Sequence, residues 1–368
     1  MDDLSILFDH QAFEMQKFGG ISRYIYELMR NLPIRTKLSL RVSTNYYLKS
    51  DSEYMTGIYL PERPYKWVKG LVKKMNRNHS IDLLMEGSYS LFHPTYYHPY
   101  FIPYLKGTPY VVTVHDMNYE LFPQYFGNAE KVIAWKKETI VNATRIIAIS
   151  NNTKRDLIRL LGVSPEKIDV IYHGITQVKT TYYGLKLPER YVLYVGDRGG
   201  YKNFFRFLEA FQQLASLDKH LYLICTGKFL NAYEWVKIEN LGLKHRFIYM
   251  RANELELGQL YKQALLFVYP SMYEGFGIPI LEAYLNGCPV ALSDASCFPE
   301  IAGEAGAYFD PNDKESMIET IHKLLIDQEC RIRLIEEGNK RLPRYTWEET
   351  VRKTLNTYEV ALQQADRT

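Results

Sequence analysis

The sequence predicts an α/β protein of two domains, each a parallel sheet covered by helices, with a cleft between them. Three observations carry this. At 368 residues the chain is long enough for about two domains of ~150 residues each. Strand and helix signals alternate along it in two blocks, as βα units of parallel sheets do. Between the blocks, residues 177–188 form a polar stretch containing Tyr, Gly and Pro, without periodicity, which reads as a linker. A hydrophobic content of 46% supplies material for two cores.

The first block opens with a strand over residues 5–10. Phe18-Gly19-Gly20-Ile21-Ser22 then starts a helix whose Tyr24, Ile25, Leu28 and Met29 recur at helical spacing. A strand, a glycine pair and a helix start make a place for phosphate, and equally an ordinary tight connection. Residues 63–77 combine six Lys or Arg with Trp67, Val68, Leu71, Val72 and Met75. On a helix those basic groups share the surface with an apolar stripe. Such a helix suits an anionic leaflet, with about 1 kcal/mol per basic group near the surface. It equally suits packing on its own domain with a solvated basic face, and an acceptor carrying phosphate would also fit. Residues 91–95 and 109–116 read as strands, the second ending in His115-Asp116 at the ligand edge of an open sheet. A local hydrogen bond is the plainer reading of that pair, and His93 and His98 are competing histidines. A helix over 129–144, a strand over 145–150 and a helix over 151–162, capped by Asn or Thr and ended by Gly162, follow. A strand over 168–172 ends at His173-Gly174.

The second block begins with a strand over 191–196. The loop D-R-G-G-Y-K-N, residues 197–203, leads into a helix carrying Phe204, Phe207, Leu208 and Phe211. Arg198 and Lys202 on this glycine-rich loop are a candidate diphosphate clamp, the alternative being a solvated basic loop. A strand over 221–226 ends at Gly227-Lys228, again at a ligand edge. A strand over 247–250 precedes a helix with Glu254 in its first turn. A buried strand over 265–269 leads to E-G-F-G-I-P-I-L-E, residues 274–282. This places Glu274 on the turn after the strand and Glu282 inside a short helix over 279–286 closed by Gly287. Gly275-Phe276-Gly277 between them lets backbone amides approach an anionic ligand, or merely shapes the turn. Strands over 289–293 and 307–309, helices over 314–327 and 331–340, and a capped amphipathic helix beginning T-W-E-E complete the chain.

A net charge of +3 is too mild to make nucleic acid the partner of the whole surface. Cys225, Cys288, Cys297 and Cys330 include no C-x-x-C pair, so neither a zinc site nor a disulfide framework is expected and the thiols read as reduced in a cytosol. Met1-Asp2-Asp3 precedes no apolar signal segment, and no apolar run approaches the ~18 to 20 residues of a membrane span. The expectation is a chain neither exported nor anchored by a span. No short-period repeat and no low-complexity tract is present.

Residues 274–282 resemble the Glu-seven-residues-Glu signature of the retaining, nucleotide-sugar-dependent glycosyltransferases of the GT-B family numbered four, which includes many bacterial polysaccharide and lipopolysaccharide enzymes. G-G-I-S-R-Y-I-Y-E-L resembles the family's first-domain loop, and I-A-I-S-N-N-T-K-R-D-L its usual last βα unit of that domain. The resemblance covers nearly the whole chain and is strongest over 191–299. It implies the GT-B fold, two Rossmann-like doubly wound parallel-sheet domains facing across a cleft, here 1–178 and 179–345. The helix over 346–368 would return to the first domain, with Trp347 at the crossing. The second domain would bind a nucleoside diphosphate sugar, as co-substrate and not as a resident cofactor. The first would present a glycan or lipid-linked acceptor.

Residue by residue, the resemblance makes Gly19 and Gly20 diphosphate-facing backbone and puts His115 near donor sugar and acceptor. It makes Lys202 and Arg198 the cations for the leaving group, with the amides of Gly20, Phe276, Gly277 and Ile278. Glu274 would touch donor-sugar hydroxyls and Glu282 the ribose, beside Gly275 and Lys228, while the loop 251–253 would face the nucleobase. Two departures stand out: Tyr201 sits where relatives carry a basic residue directly before the lysine, and His173 where they more often carry Asn. No D-x-D pair appears, so cations and amides take the place of a metal. Attack is expected on the front face, the departing phosphate accepting the acceptor's proton. The expected setting is the cytosol, with a peripheral position on the inner face of the membrane open to it through residues 63–77. Two other classes share this plan: a sugar-nucleotide epimerase or hydrolase, and a non-catalytic membrane-binding subunit.

Overall fold

The computed structural model describes residues 4–49, 51–55, 57–176 and 184–367. Residues 177–183 of the expected linker, and the opening Met1, Asp2 and Asp3, lie outside the described residues. The chain divides into two compact units, Met1–Gly174 with Trp347–Thr368, and Ile175–Thr346.

In the first unit, Arg35–Leu38, Ser5–Phe8 and Leu91–His93 form one parallel sheet and Val111–Val114, Arg145–Ala148 and Ile168–Val170 another. A parallel bridge between Phe92 and Tyr110 joins them. Val111–Val114 and Arg145–Ala148 are buried at every position, as strands covered on both faces must be. The helix Gly20–Asn31 buries Tyr24, Ile25, Leu28 and Met29, the expected stripe. The helix Trp347–Ala365 belongs to this unit. Its Tyr358 is fully buried, with the hydroxyl 2.7 Å from His93 Nδ1, and Thr357 donates to Asp169 at 2.9 Å.

Two local expectations are corrected here. The helix capped by Asn or Thr, Asn151–Leu161, is capped one residue earlier, by the Ser150 side chain accepting from the Thr153 amide. The basic helix expected over 63–77 runs from Glu62 to Glu86. Its core face begins inside the basic stretch, at Val72 and Asn76, and continues beyond it through Ser80, Leu83 and Leu84.

In the second unit six parallel strands are ordered Phe247–Met250, Tyr222–Thr226, Tyr191–Val195, Leu266–Tyr269, Val290–Ser293, Gly306–Phe309. Reading outward from Tyr191–Val195, the chain adds strands first on one side and then on the other. The order therefore reverses between Tyr191–Val195 and Leu266–Tyr269. Phe204, Phe207 and Phe211 of the helix Phe204–Leu217 fill the core on one face of this sheet.

Candidate active site

Where strand order reverses in a doubly wound sheet, the loops leaving the two central strands part and open a crevice at their C-terminal ends. In the second unit these are the loop after Tyr191–Val195, which carries Lys202, and the loop after Leu266–Tyr269, which carries Glu274. The two side chains meet there, Lys202 Nζ lying 2.7 Å from Glu274 Oε1. The Met272 amide donates to the Tyr201 carbonyl at 2.8 Å and fastens one loop to the other. Ser271 Oγ donates to the same Glu274 oxygen at 2.8 Å. Ser296 Oγ accepts from the Glu274 amide at 3.1 Å and donates to its carbonyl at 2.6 Å. Backbone and carboxylate are thus both fixed. Burial, then the Glu274 charge, pushes the neighbouring Tyr269 hydroxyl well above its ordinary value.

Gly277 turns the chain into the helix Ile278–Leu285 with φ +89, and no side chain caps the helix start. A Cβ at this position would lie 3.1 Å from Ile280 and 3.2 Å from Phe298, so both conformation and space call for glycine. Glu282 lies on the helix and accepts from the Tyr261 hydroxyl at 3.3 Å.

Arg198 departs from the expected clamp. It is 3% exposed, its Nε donates to Glu234 at 2.9 Å, and its terminal nitrogens reach the carbonyls of Lys228 and, at 3.2 Å, Phe229. These contacts make it a strut between the loop 197–203, the loop 227–229 and the helix Ala232–Asn240. Lys228 is exposed and pairs with Asp197 at 2.6 Å.

In the first unit, Gly19 precedes the helix Gly20–Asn31, and Gln16 folds over it so that its Oε1 accepts the Ser22 amide at 3.0 Å. A Cβ on Gly19 would come 2.6 Å from that side chain. His115 follows the strand Val111–Val114 and is buried, its amide donating to Tyr97 Oη at 2.9 Å. Its Nε2 is among the described buried polar atoms without a hydrogen-bond partner. Burial, with His93 and Lys136 nearby, pushes its pKa down to about 3, so near neutral pH the ring is an uncharged hydrogen-bonding group. His173 stacks on it with ring centres 6.0 Å apart, and Tyr24 stands edge-on to both. Asp116 does not act on His115; its loop is pinned by the buried Lys136, which donates to the Asp116 carbonyl and, at 3.0 Å, to Glu120.

Sequence reasoning missed Gln16, Ser271, Ser296, Glu234 and Lys136. Glu234 alone had a visible sign, three residues after Asn231 in a capping box. Among the described residues no group of three or more His, Cys, Asp or Glu is placed to hold a metal ion.

Two such units, each with its loops gathered at the C-terminal ends of a parallel sheet, have the GT-B fold of glycosyltransferases. Residues 182–341 match the family Glycosyl transferases group 1 and residues 18–177 match Glycosyltransferase Family 4. An O-antigen chain mannosyltransferase B of Escherichia coli is 30% identical over 68% of this chain and 70% of that protein. A GDP-mannose:cellobiosyl-diphosphopolyprenol alpha-mannosyltransferase of Xanthomonas campestris is 29% identical over 70% of this chain and 69% of its own. The solved Anabaena protein HepE, in complex with UDP and glucose, superposes with a TM-score of 0.73 at 16% identity over 98% of this chain and all of its own. The chain belongs to the family-four GT-B glycosyltransferases and is a glycosyltransferase of polysaccharide biosynthesis.

Proposed function

We propose that the protein transfers a sugar, with retention of anomeric configuration and without a metal ion, from a nucleoside diphosphate sugar to a glycan on a lipid diphosphate carrier. The observation that carries this reading is the Lys202–Glu274 pair at 2.7 Å at the switch point of the second unit. A diphosphate entering that crevice competes with Glu274 for Lys202, and the released carboxylate is left to receive hydroxyls of the donor sugar. Lys202 and the helix start at Ile278 then face the charge that develops on the leaving phosphate. As the anomeric carbon–phosphate oxygen bond breaks and the acceptor oxygen bonds the same carbon, the acceptor's proton passes to the departing phosphate oxygen. Glu282 holds the ribose, Lys228 stands at the edge of the crevice, and Arg198 positions the loop that carries Lys202. In the first unit, Gly19 and Gly20 offer backbone to phosphate, and neutral His115 offers its unpartnered Nε2 to a sugar hydroxyl.

Mannose as the sugar is supported by the names of both mannosyltransferase relatives, and guanosine diphosphate as the leaving group by that of the Xanthomonas campestris one. The setting is the cytosolic face of a membrane. No helix among the described residues is long and apolar enough to cross one. The surface of helix Glu62–Glu86 supports peripheral attachment, with Trp67 91% and Leu71 60% exposed.

The test is a thermal-shift panel of GDP, UDP, ADP and their sugars in excess chelator. A ligand at 100 times its Kd adds about 2.7 kcal/mol, and GDP and GDP-mannose are expected to give the largest shifts. A panel in which no nucleoside diphosphate raises the melting temperature, or in which binding and transfer return only with added magnesium or manganese, overturns the reading.

A further inference from the structure

We propose that Phe18 and Tyr46, beside the Gly19-Gly20 turn, form an aromatic platform that stacks on a pyranose ring of the acceptor glycan. Both rings are 59% exposed. They meet edge-to-face, 5.8 Å between centres and 72° between planes, so the pair presents an L-shaped apolar corner to solvent. Leaving two aromatic side chains side by side in water forgoes the burial each would gain in a core, and contiguous exposed apolar surface on a rigid base is where a ligand is expected.

The base is rigid for identifiable reasons. Asn45 is fully buried, and its Nδ2 donates to the Gln16 carbonyl at 2.7 Å. The Tyr46 amide donates to the Lys17 carbonyl at 2.8 Å. Segments 16–18 and 45–47 are therefore clamped by one main-chain and one side-chain hydrogen bond. Behind them Tyr47 stacks on Phe18 at 5.4 Å and 24°, and Tyr26 stacks on Tyr47 at 5.8 Å and 24°. Tyr26 is fixed in turn by donating to Asp51 at 2.8 Å and accepting from Arg30 at 2.9 Å. Four rings in a supported row, ending in two exposed ones, are pre-organised for a ligand that needs a face and an edge.

A pyranose has that shape. The C–H bonds on one side of the ring are weakly positive and match the negative face of an aromatic ring, while the hydroxyls point outward. The corner carries no charge of its own, which suits a neutral sugar better than a phosphate. It also lies next to the Gly19-Gly20 pair, whose backbone is proposed above to face phosphate. The proposal rests on the reading of the first unit as the acceptor's unit.

Saturation-transfer NMR tests it, using α-linked mannobiose and mannotriose, cellobiose and chitobiose with the 368-residue chain. At least one sugar should receive saturation strongest at the C–H protons of one ring face. Phe18→Ala and Tyr46→Ala should each reduce that signal at least threefold, while Phe18→Tyr and Tyr46→Phe retain it. GDP affinity by calorimetry on the same samples should be unmoved in all four variants. The proposal is overturned if no sugar in the panel receives saturation, if the alanine variants keep the signal, or if they lose binding to phosphatidylglycerol vesicles instead. Failure of GDP to bind the parent protein bears on the donor reading alone, because the sugar signal is measured without nucleotide.

Discussion

Glu274 is held by Lys202, Ser271 and Ser296, and Glu282 by the Tyr261 hydroxyl, so the two should fail differently when truncated. If Glu282 holds the ribose as proposed, removing it takes away a hydrogen-bond acceptor that serves ground and transition states equally. With charge-assisted hydrogen bonds at roughly 1.5 to 3 kcal/mol, Glu282→Ala should weaken GDP and donor about ten- to a hundred-and-fifty-fold. Glu274→Gln removes the competitor for Lys202, so GDP affinity should hold or tighten while kcat falls by a comparable factor. Calorimetry with GDP alone beside steady-state kinetics separates these outcomes, and equal losses of GDP affinity in both variants would refute the division. Away from the site, Glu14 accepts from Asn76 Nδ2 at 2.7 Å, and burial pushes its pKa from the ordinary 4.5 up to about 7 against the opposing influence of Asn76 and Lys73. Between those values the folded chain binds more protons than the unfolded one, so Glu14 makes stability fall as pH rises through that window. Glu14→Gln keeps the hydrogen bond and removes the titration. Thermal melts should find it more stable than the parent at pH 8, by up to about 3 kcal/mol at ~1.4 kcal/mol per pKa unit, with the gap closing by pH 5. A variant no more stable at pH 8 than at pH 5, relative to the parent, would contradict this.

The helix Glu62–Glu86 shows what a stretch of sequence can and cannot carry. Its basic and apolar residues were legible, but not how the fold would divide them. Val72 turns to the core while Trp67, Leu71 and Met75 remain in solvent. Of the six cations, Arg77 lies over the Tyr100 ring at 5.4 Å and Lys73 acts on Glu14. Lipid contact should therefore follow Trp67 and Leu71 rather than the sum of the charge. Trp67→Ser with Leu71→Ser should lower partition onto phosphatidylglycerol vesicles at least tenfold, since burying one such side chain contributes about 1.5 to 3 kcal/mol. Added salt should weaken the parent's binding, and sedimentation with vesicles reads both; unchanged partition would exclude this face. Elsewhere the strands with continuous apolar runs and the helices with a 3.6-residue stripe could be read from the sequence. The strands Arg35–Leu38, Val42–Ser43 and Ile58–Tyr59 could not, being short and largely polar or isolated at an edge. Glu274 and Lys202 were singled out by their resemblance to a family motif, since the glycines and charges around them left a plain turn and a solvated basic loop equally open; the fold brings the two side chains to 2.7 Å. Arg198 was misjudged because its partner Glu234 comes from a helix 36 residues away, a pairing only the folded sheet creates.

At the scale of the whole molecule, two compact units with separate cores need not unfold together. A nucleotide that binds only the second should raise one transition in scanning calorimetry and leave another in place, by about 2.7 kcal/mol at 100 times its Kd. A single transition that moves as a whole would show the units to be energetically fused. The second unit is one uninterrupted stretch, Ile175–Thr346, but the first is not: Val351, Tyr358 and Ala361 of the last helix fill its core, and Gly174 lies so close to Trp347 that a Cβ would fall 2.5 Å from the tryptophan's backbone nitrogen. On the ribosome this inverts the usual order. The opening 174 residues emerge first yet must wait for the final 22 residues, Trp347–Thr368, about 10 to 40 s later at ~5–20 residues per second. The part of the chain made second is then the first able to finish, and for that interval the nascent first unit exposes a groove the width of a helix.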